Sequence, residues 1–320
     1  MNPSGLDRLV DGLFDHAGMF PPAELEFESA LRDAARFPET LTRPHLVATD
    51  MVLTPKTLPS LDSAILQEEG FTEGRTCTVC LVGVSLADAE RQARSVHGFN
   101  SERAEDPVPQ RIVSLETTSE ASGPDAIAQL AIPLDITRAM LGPDTRLYIE
   151  PRWDKTIWTE NIDDLFTILA TVNSAGPKVG LKVRCAGPTE VDHETLTGII
   201  QRVVQGGVPF KATQGLHHPV IEPERYGNAH GFLNVTTALY LHAIHGTAFA
   251  ADLILACLKN EEAKAFTFDD GVTWNGHRLD GDALRTAKET LPFTIGSCSL
   301  VEPDQDLVRL FPQVEATTPS

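Results

Sequence analysis

The sequence predicts an α/β protein, a (β/α)8 barrel of the TIM-barrel type with an inserted helical segment and a β-hairpin ahead of the last strand. Three observations predict it. Seven short apolar runs rich in β-branched residues recur along the chain, and stretches of helical period separate them. That alternation is the mark of parallel strands joined by crossover helices. No run is followed by Gly-x-Gly-x-x-Gly, and Gly-x4-Gly-Lys-[Ser/Thr] is absent; this removes the dinucleotide and P-loop versions of the runner-up, an open doubly wound sheet.

The elements follow in order. The segment 12–23, GLFDHAGMFPPA, is the candidate for an eighth strand and runs into a Pro-Pro that stiffens the next loop. PHLVATDMVL (44–53) is the first clear strand, followed by RTCTVCLVGV (75–84) and QRIVSLETT (110–118). SLADAERQARSVHGF (85–99) is an amphipathic helix, and TSEASGPDAIAQLAIP (118–133) is a loop–helix excursion. TRLYIEPRW (145–153), KVGLKVRCAG (178–187) and VPFKATQG (208–215) are strands. Between them, 161–176 and 193–207 each end at glycine, as helices do.

The stretch 219–290 is too long for one crossover. Within it 233–260 reads as helix broken at Gly246. AFTFDDGVTWNGHRLDG (265–281) sets Asp-Asp-Gly and Asn-Gly turn signals among alternating apolar residues, a hairpin signal. LPFTIGSCS (291–299) is the last strand. The expected organisation is one barrel domain over 1–312 with an insertion at about 219–290, then a polar, disordered tail over 313–320.

Composition excludes some function classes. With 45 Asp+Glu against 26 Lys+Arg the formal charge is −19, a surface that repels nucleic acid and anionic membranes. The N-terminus lacks the basic and apolar regions of a signal peptide. No apolar run reaches the length of a membrane span. Five cysteines, few and odd in number, fit a reducing compartment. The expectation is a cytoplasmic protein whose partner is a small molecule, with neither nucleic acid nor membrane, and with a homo-oligomer left open.

In a parallel barrel, active sites form at the C-terminal ends of the strands. Asp50 ends the first clear strand, and polar residues are frequent late in the others: Glu116; Glu150 with Arg152; Lys182 with Arg184; Lys211 with Thr213; Ser297 with Ser299. Residues two apart share a face. A charge in an apolar strand is costly unless paired, so these groups are cheapest in one shared polar cavity. Glu116 and Glu150 would neutralise part of the cationic set, and the excess of cations suits an anionic substrate.

Lys211, beside Lys182 or Arg184, is expected to have a lowered pKa. Its free amine would then form a Schiff base with a carbonyl; otherwise it binds an anion. The candidate catalytic residues are Lys211, Lys182, Glu150 and His218. The candidate substrate contacts are Arg184, Arg152, Glu116, Thr213, His217, His230, Asn234, Ser297, Ser299, Asp15 and His16. No cofactor is required by this chemistry. The alternative is a divalent transition metal such as zinc, with His217, His218 and His230 near it and a carboxylate such as Glu302 or Asp15, serving a hydrolase or isomerase. A third reading is a non-catalytic anion-binding barrel. Cys77 and Cys80, three apart on a strand, face opposite sides and form no redox pair. Cys298 in GSCS is either a nucleophile or part of an anion-binding strand end.

Phe210-Lys211-Ala212-Thr213-Gln214-Gly215 resembles the Schiff-base strand of the deoxyribose-phosphate aldolase group of class I aldolases, a barrel strand ending Lys-Thr-Ser-Thr-Gly. That resemblance implies an imine at Lys211 and a second lysine, Lys182, that lowers its pKa. The blocks DHAGMFPPA (15–23), FKATQGLHHP (210–219), HGFLN (230–234) and GSCSLVEP (296–303) look like the signature blocks of an uncharacterised bacterial family. That second resemblance implies no chemistry.

Overall fold

The structure, a computed structural model, describes residues 3–176, 178–227 and 229–317. Its strands in chain order are β1 (Phe14–His16), β2 (Val47–Thr49), β3 (Met51–Leu53), β4 (Cys77–Ser85), β5 (Gln110–Ser119), β6 (Arg146–Pro151), β7 (Val179–Arg184) and β8 (Phe210–Thr213). There follow β9 (Phe266–Phe268), β10 (Val272–Trp274), β11 (His277–Leu279) and β12 (Phe293–Ser297). Nine of these form one sheet in the order β2-β1-β12-β8-β7-β6-β5-β4-β3. Every pairing in it is parallel.

The two outermost strands, β2 and β3, are halves of one strand path interrupted at Asp50, so the sheet returns on itself as a (β/α)8 barrel. The interruption has a chemical cause. Asp50 Oδ2 accepts from the Thr78 amide at 2.9 Å and hydroxyl at 2.8 Å, and Oδ1 takes Arg75 at 2.7 Å. A carboxylate thus stands where a ladder carbonyl would be.

The connecting helices start and stop where the sequence chemistry requires. Asp154 caps Lys155–Val172 through the Ile157 amide, and Asp192 caps His193–Gly206 through that of Thr195. Gly207, in the left-handed region at φ 54°, ends the second of these. The excursion after β5 holds Pro124–Ala128 and leads into Ala131–Leu141, the crossover to β6. The insertion contains Phe232–His245, which stops at Gly246, and Ala251–Leu258. The expected single hairpin is corrected to a three-stranded antiparallel sheet in the order β11-β10-β9. Asp269-Asp270-Gly271 turns β9 into β10, and Asn275-Gly276 turns β10 into β11, so the two signals mark two hairpins sharing a strand.

The tail expected to be disordered is corrected as far as Thr317. The Thr317 hydroxyl donates to Asp7 at 2.7 Å, and Arg43 donates to the Val314 carbonyl at 2.7 Å. Residues 318–320 lie outside the described residues. Among the described residues no helix is long and apolar enough to cross a membrane.

Candidate active site

Strand alternation puts Lys182 on β7 directly beside Lys211 on β8 in the register. Two like charges side by side are unfavourable, and both are buried, at 7% and 2% exposure. Glu116 on β5 resolves the conflict. Its Oε2 lies 2.5 Å from Lys182 Nζ and its Oε1 2.5 Å from Lys211 Nζ. Asp15 on β1 adds a contact to Lys211 at 2.7 Å, and Glu150 on β6 adds one to Lys182 at 3.0 Å. Glu150 also holds Arg184 at 2.5 Å and Arg152 at 3.2 Å. The result is an alternating ladder, Asp15–Lys211–Glu116–Lys182–Glu150, capped by two arginines.

This ladder sets the charge states. Burial opposes the charge on Lys211, but Asp15, the Cys80 sulfur and Glu116 outweigh it and hold the ammonium well above the ordinary lysine range. Lys182 behaves alike: burial opposes its charge, and Glu116 with Glu150 restores it. Burial pushes the Glu116 carboxyl up, yet Lys182 and Lys211 bring it down to about 2. The expected lowering of the Lys211 pKa is therefore corrected. The neighbouring cation is present, but the carboxylates between the two lysines decide the sign.

The ladder forms one side of a cavity of about 310 Å³ at the barrel mouth, a size suited to a small metabolite. Glu116, Glu150, Arg152, Lys182, Arg184 and Lys211 all reach it, as does Thr213. Ala17, Phe20, Val52 and Val82 supply an apolar side. The DHAGMFPPA loop thus crosses the mouth through Ala17, Phe20 and Pro21 rather than through its polar residues. Its Asp15 points into the ladder, whereas His16 is buried with Nδ1 3.2 Å from the Asp50 carbonyl and its ring edge-on to Phe37.

The histidines separate. His217 lines the cavity; burial lowers its pKa, opposed by Glu302 3.4 Å from Nδ1. His218, expected to be catalytic, instead pairs with Asp306 at 2.7 Å and stacks on Tyr226. His230 is buried against the Val191 carbonyl at 2.8 Å and the His193 ring. The three therefore do not converge, and among the described residues no group of three His, Cys, Asp or Glu side chains is placed to hold a metal ion.

Asn234, an expected substrate contact, is fully buried and donates to the carbonyls of Cys257 and Asn260, where it stops the helix Ala251–Leu258. The Ser297 hydroxyl donates to the Ser299 carbonyl at 2.6 Å, and Ser299 accepts the Glu302 amide at 3.2 Å at the start of Val301–Leu310. These two serines organise the strand end; neither lines the cavity.

Sequence reasoning missed Cys80. Its thiol donates to Glu116 at 2.8 Å and its sulfur accepts from Lys211 at 3.3 Å. The strand alternation that separates it from Cys77 is also what turns it into the lumen. Tyr148 lies under Lys211, with Nζ 5.6 Å from the ring centre. Gly180 makes room for that ring, because a Cβ there would come within 2.5 Å of it.

No protein-family model matches the chain, and no curated protein matches it.

Proposed function

We propose that the chain is an enzyme acting on a small anionic, carbonyl-bearing substrate at this mouth, as an aldolase-like lyase or an isomerase. The observation that carries the reading is the sharing of Glu150. One carboxylate serves Lys182, Arg184 and Arg152, so the ladder ends in guanidinium donors that a single carboxylate cannot saturate. The arginine side chains are 23% and 29% exposed, against 9% for Lys182. A carboxylate or phosphate entering the cavity meets them first and binds through charge-assisted hydrogen bonds.

An anion held there sets the adjacent carbonyl toward Lys182, the outer of the two amines. It also competes with Glu150 for the guanidinium groups, which raises the proton affinity of that carboxylate. Lys182 then passes a proton to Glu150, attacks the carbonyl carbon, and loses water to give an iminium. The iminium takes up the electron pair released when an adjacent C–C or C–H bond breaks. Lys211, enclosed by Asp15, Glu116 and Cys80, stays charged and disfavours a second charge at Lys182. This exchanges the two lysine roles that the aldolase resemblance implied, on the ground of exposure. The held ammonium state favours a second reading with the same residues: Lys182 remains protonated and polarises the carbonyl without a covalent bond.

The test is borohydride reduction in the presence of pyruvate, glyoxylate and dihydroxyacetone phosphate, with adducts mapped by mass spectrometry. An adduct on Lys182 that disappears in Lys182→Met supports the imine. Turnover of a probe without an adduct overturns the covalent step and leaves the ammonium reading. Anion binding by calorimetry without adduct or turnover returns the chain to an anion-binding barrel.

A further inference from the structure

The same cavity carries a second set of reactive groups that the ladder does not use. Cys298 follows β12 and lines the cavity beside His217, which follows β8. Cys298 Sγ lies 3.8 Å from His217 Nε2. The other imidazole nitrogen, Nδ1, faces Glu302 Oε2 at 3.4 Å and Ser297 Oγ at 3.5 Å. The Glu302 main chain is fixed at the start of Val301–Leu310, where its amide donates to Ser299 Oγ, and its half-exposed carboxylate reaches back to the imidazole. A thiol, an imidazole and a carboxylate thus stand in line, with the thiol and imidazole reaching the cavity. Cys298 is also the one cysteine of the five that is not buried.

A reaction through an iminium at Lys182 needs a group that takes a proton from the substrate carbon next to it and returns one. Glu116 is committed to both lysines, and Glu150 serves the Lys182 nitrogen, taking its proton and giving it up to the leaving water, so the substrate carbon needs another group. Cys298 and His217 meet the requirement as a neutral pair, because burial keeps the thiol protonated and the imidazole neutral.

We propose that Cys298 and His217, oriented by Glu302, are the acid–base pair that moves the α-proton of a small 2-oxo acid or related ketone held as an imine at Lys182. The proposal rests on the functional reading above. In the forward step the Sγ proton passes to His217 Nε2, and the thiolate takes the α-proton. The C–H electron pair enters the iminium, which becomes a neutral enamine. The pair ends as thiol and imidazolium, the latter facing the Glu302 carboxylate, and the reverse sequence protonates the carbon.

The experiment uses the full chain and pyruvate, a small 2-oxo acid with exchangeable α-protons. Deuterium entry into its methyl group is followed by NMR in D2O, borohydride trapping is run on the same samples, and thermal melts check folding. In Cys298→Ala and His217→Gln exchange is expected to fall about a hundredfold, the scale of general acid–base catalysis, while the Lys182 adduct still forms. Glu302→Gln, at a half-exposed side chain, is expected to slow exchange about tenfold with the melt unchanged. Iodoacetamide labelling supplies a readout independent of substrate. Cys298 is expected to label first, and about tenfold more slowly in His217→Gln, if the imidazole draws off its proton. Exchange within twofold of wild type in folded Cys298→Ala, or labelling indifferent to His217, overturns the proposal. An absent adduct in wild type instead counts against the imine at Lys182, and the labelling comparison still decides whether the thiol and imidazole act together.

Discussion

At the scale of single residues, Glu116 is the position on which the site turns. It is 3% exposed and is the shared counter-ion of two lysines that neighbour each other in the register. Replacing it with glutamine leaves two buried ammonium groups side by side. Glu116→Gln is expected to cost about 3–5 kcal/mol in urea unfolding, the range for breaking a buried pair. Adding Lys211→Met to it should cost less than the sum of the two single changes, with a coupling of about 1 kcal/mol or more; strict additivity would show that the carboxylate does not mediate between the lysines. Much of this was legible in the sequence. The period of two places Lys182 with Arg184 and Lys211 with Thr213, and burial cost requires them to meet carboxylates. The pKa direction was not, because Asp15 and Cys80 come from strands 196 and 131 residues away from Lys211 in the chain. Which histidine faces the cavity is not legible for a related reason. His217 and His218 sit in a loop, where no period fixes direction, so their opposite partners emerge only from the fold.

At the scale of elements, the strands were the most legible part, since each is a buried apolar run between turn signals. The break at Asp50 was not, because a polar residue late in a strand reads as a candidate site contact until its partners are known. Those partners are Thr78 and Arg75, and they make Asp50 a seam rather than a ligand. Asp50→Ala removes the acceptor of a backbone amide and the partner of a guanidinium while leaving the ladder untouched. It is expected to destabilise the barrel by about 2–4 kcal/mol. Hydrogen exchange at residues 47–53 and 77–80 should rise before that of Val179–Arg184; uniform acceleration across all strands would show that the seam is not a local weak point. The insertion shows the opposite kind of error. Both turn signals stand in the sequence, but that two hairpins share β10 does not follow from them, since turn chemistry marks reversals and not how many strands pair.

At the scale of the whole molecule, a formal charge of −19 encloses a lumen of opposite bias, with four cations against three carboxylates among Asp15, Glu116, Glu150, Lys182, Lys211, Arg152 and Arg184. The two halves titrate differently, and this gives the protein a defined pH window. Glu116 falls from an ordinary 4.5 to about 2, so the stability it contributes is present above about 4.5 and is lost as the pH drops toward 2. Lys182 and Lys211 are raised above an ordinary 10.5, so their contribution is full below that value and is lost only in strong alkali. A plateau from about pH 5 to about pH 10 follows for the network. The acid limb is worth about 3 kcal/mol, from a shift of roughly two to three pH units at 1.36 kcal/mol each. Surface carboxylates titrate over the same acid range, and below the isoelectric point of about 4.8 their loss leaves a net positive surface whose self-repulsion also destabilises the fold. The two effects are separable. Unfolding free energies of wild type and of Glu116→Gln, measured from pH 6 down to about 2.5, should converge as the pH falls, because protonation removes from one what substitution has removed from the other. Parallel curves would mean that the carboxylate at the centre of the ladder keeps its proton affinity unshifted. In that case the lysines beside it are not held charged by it.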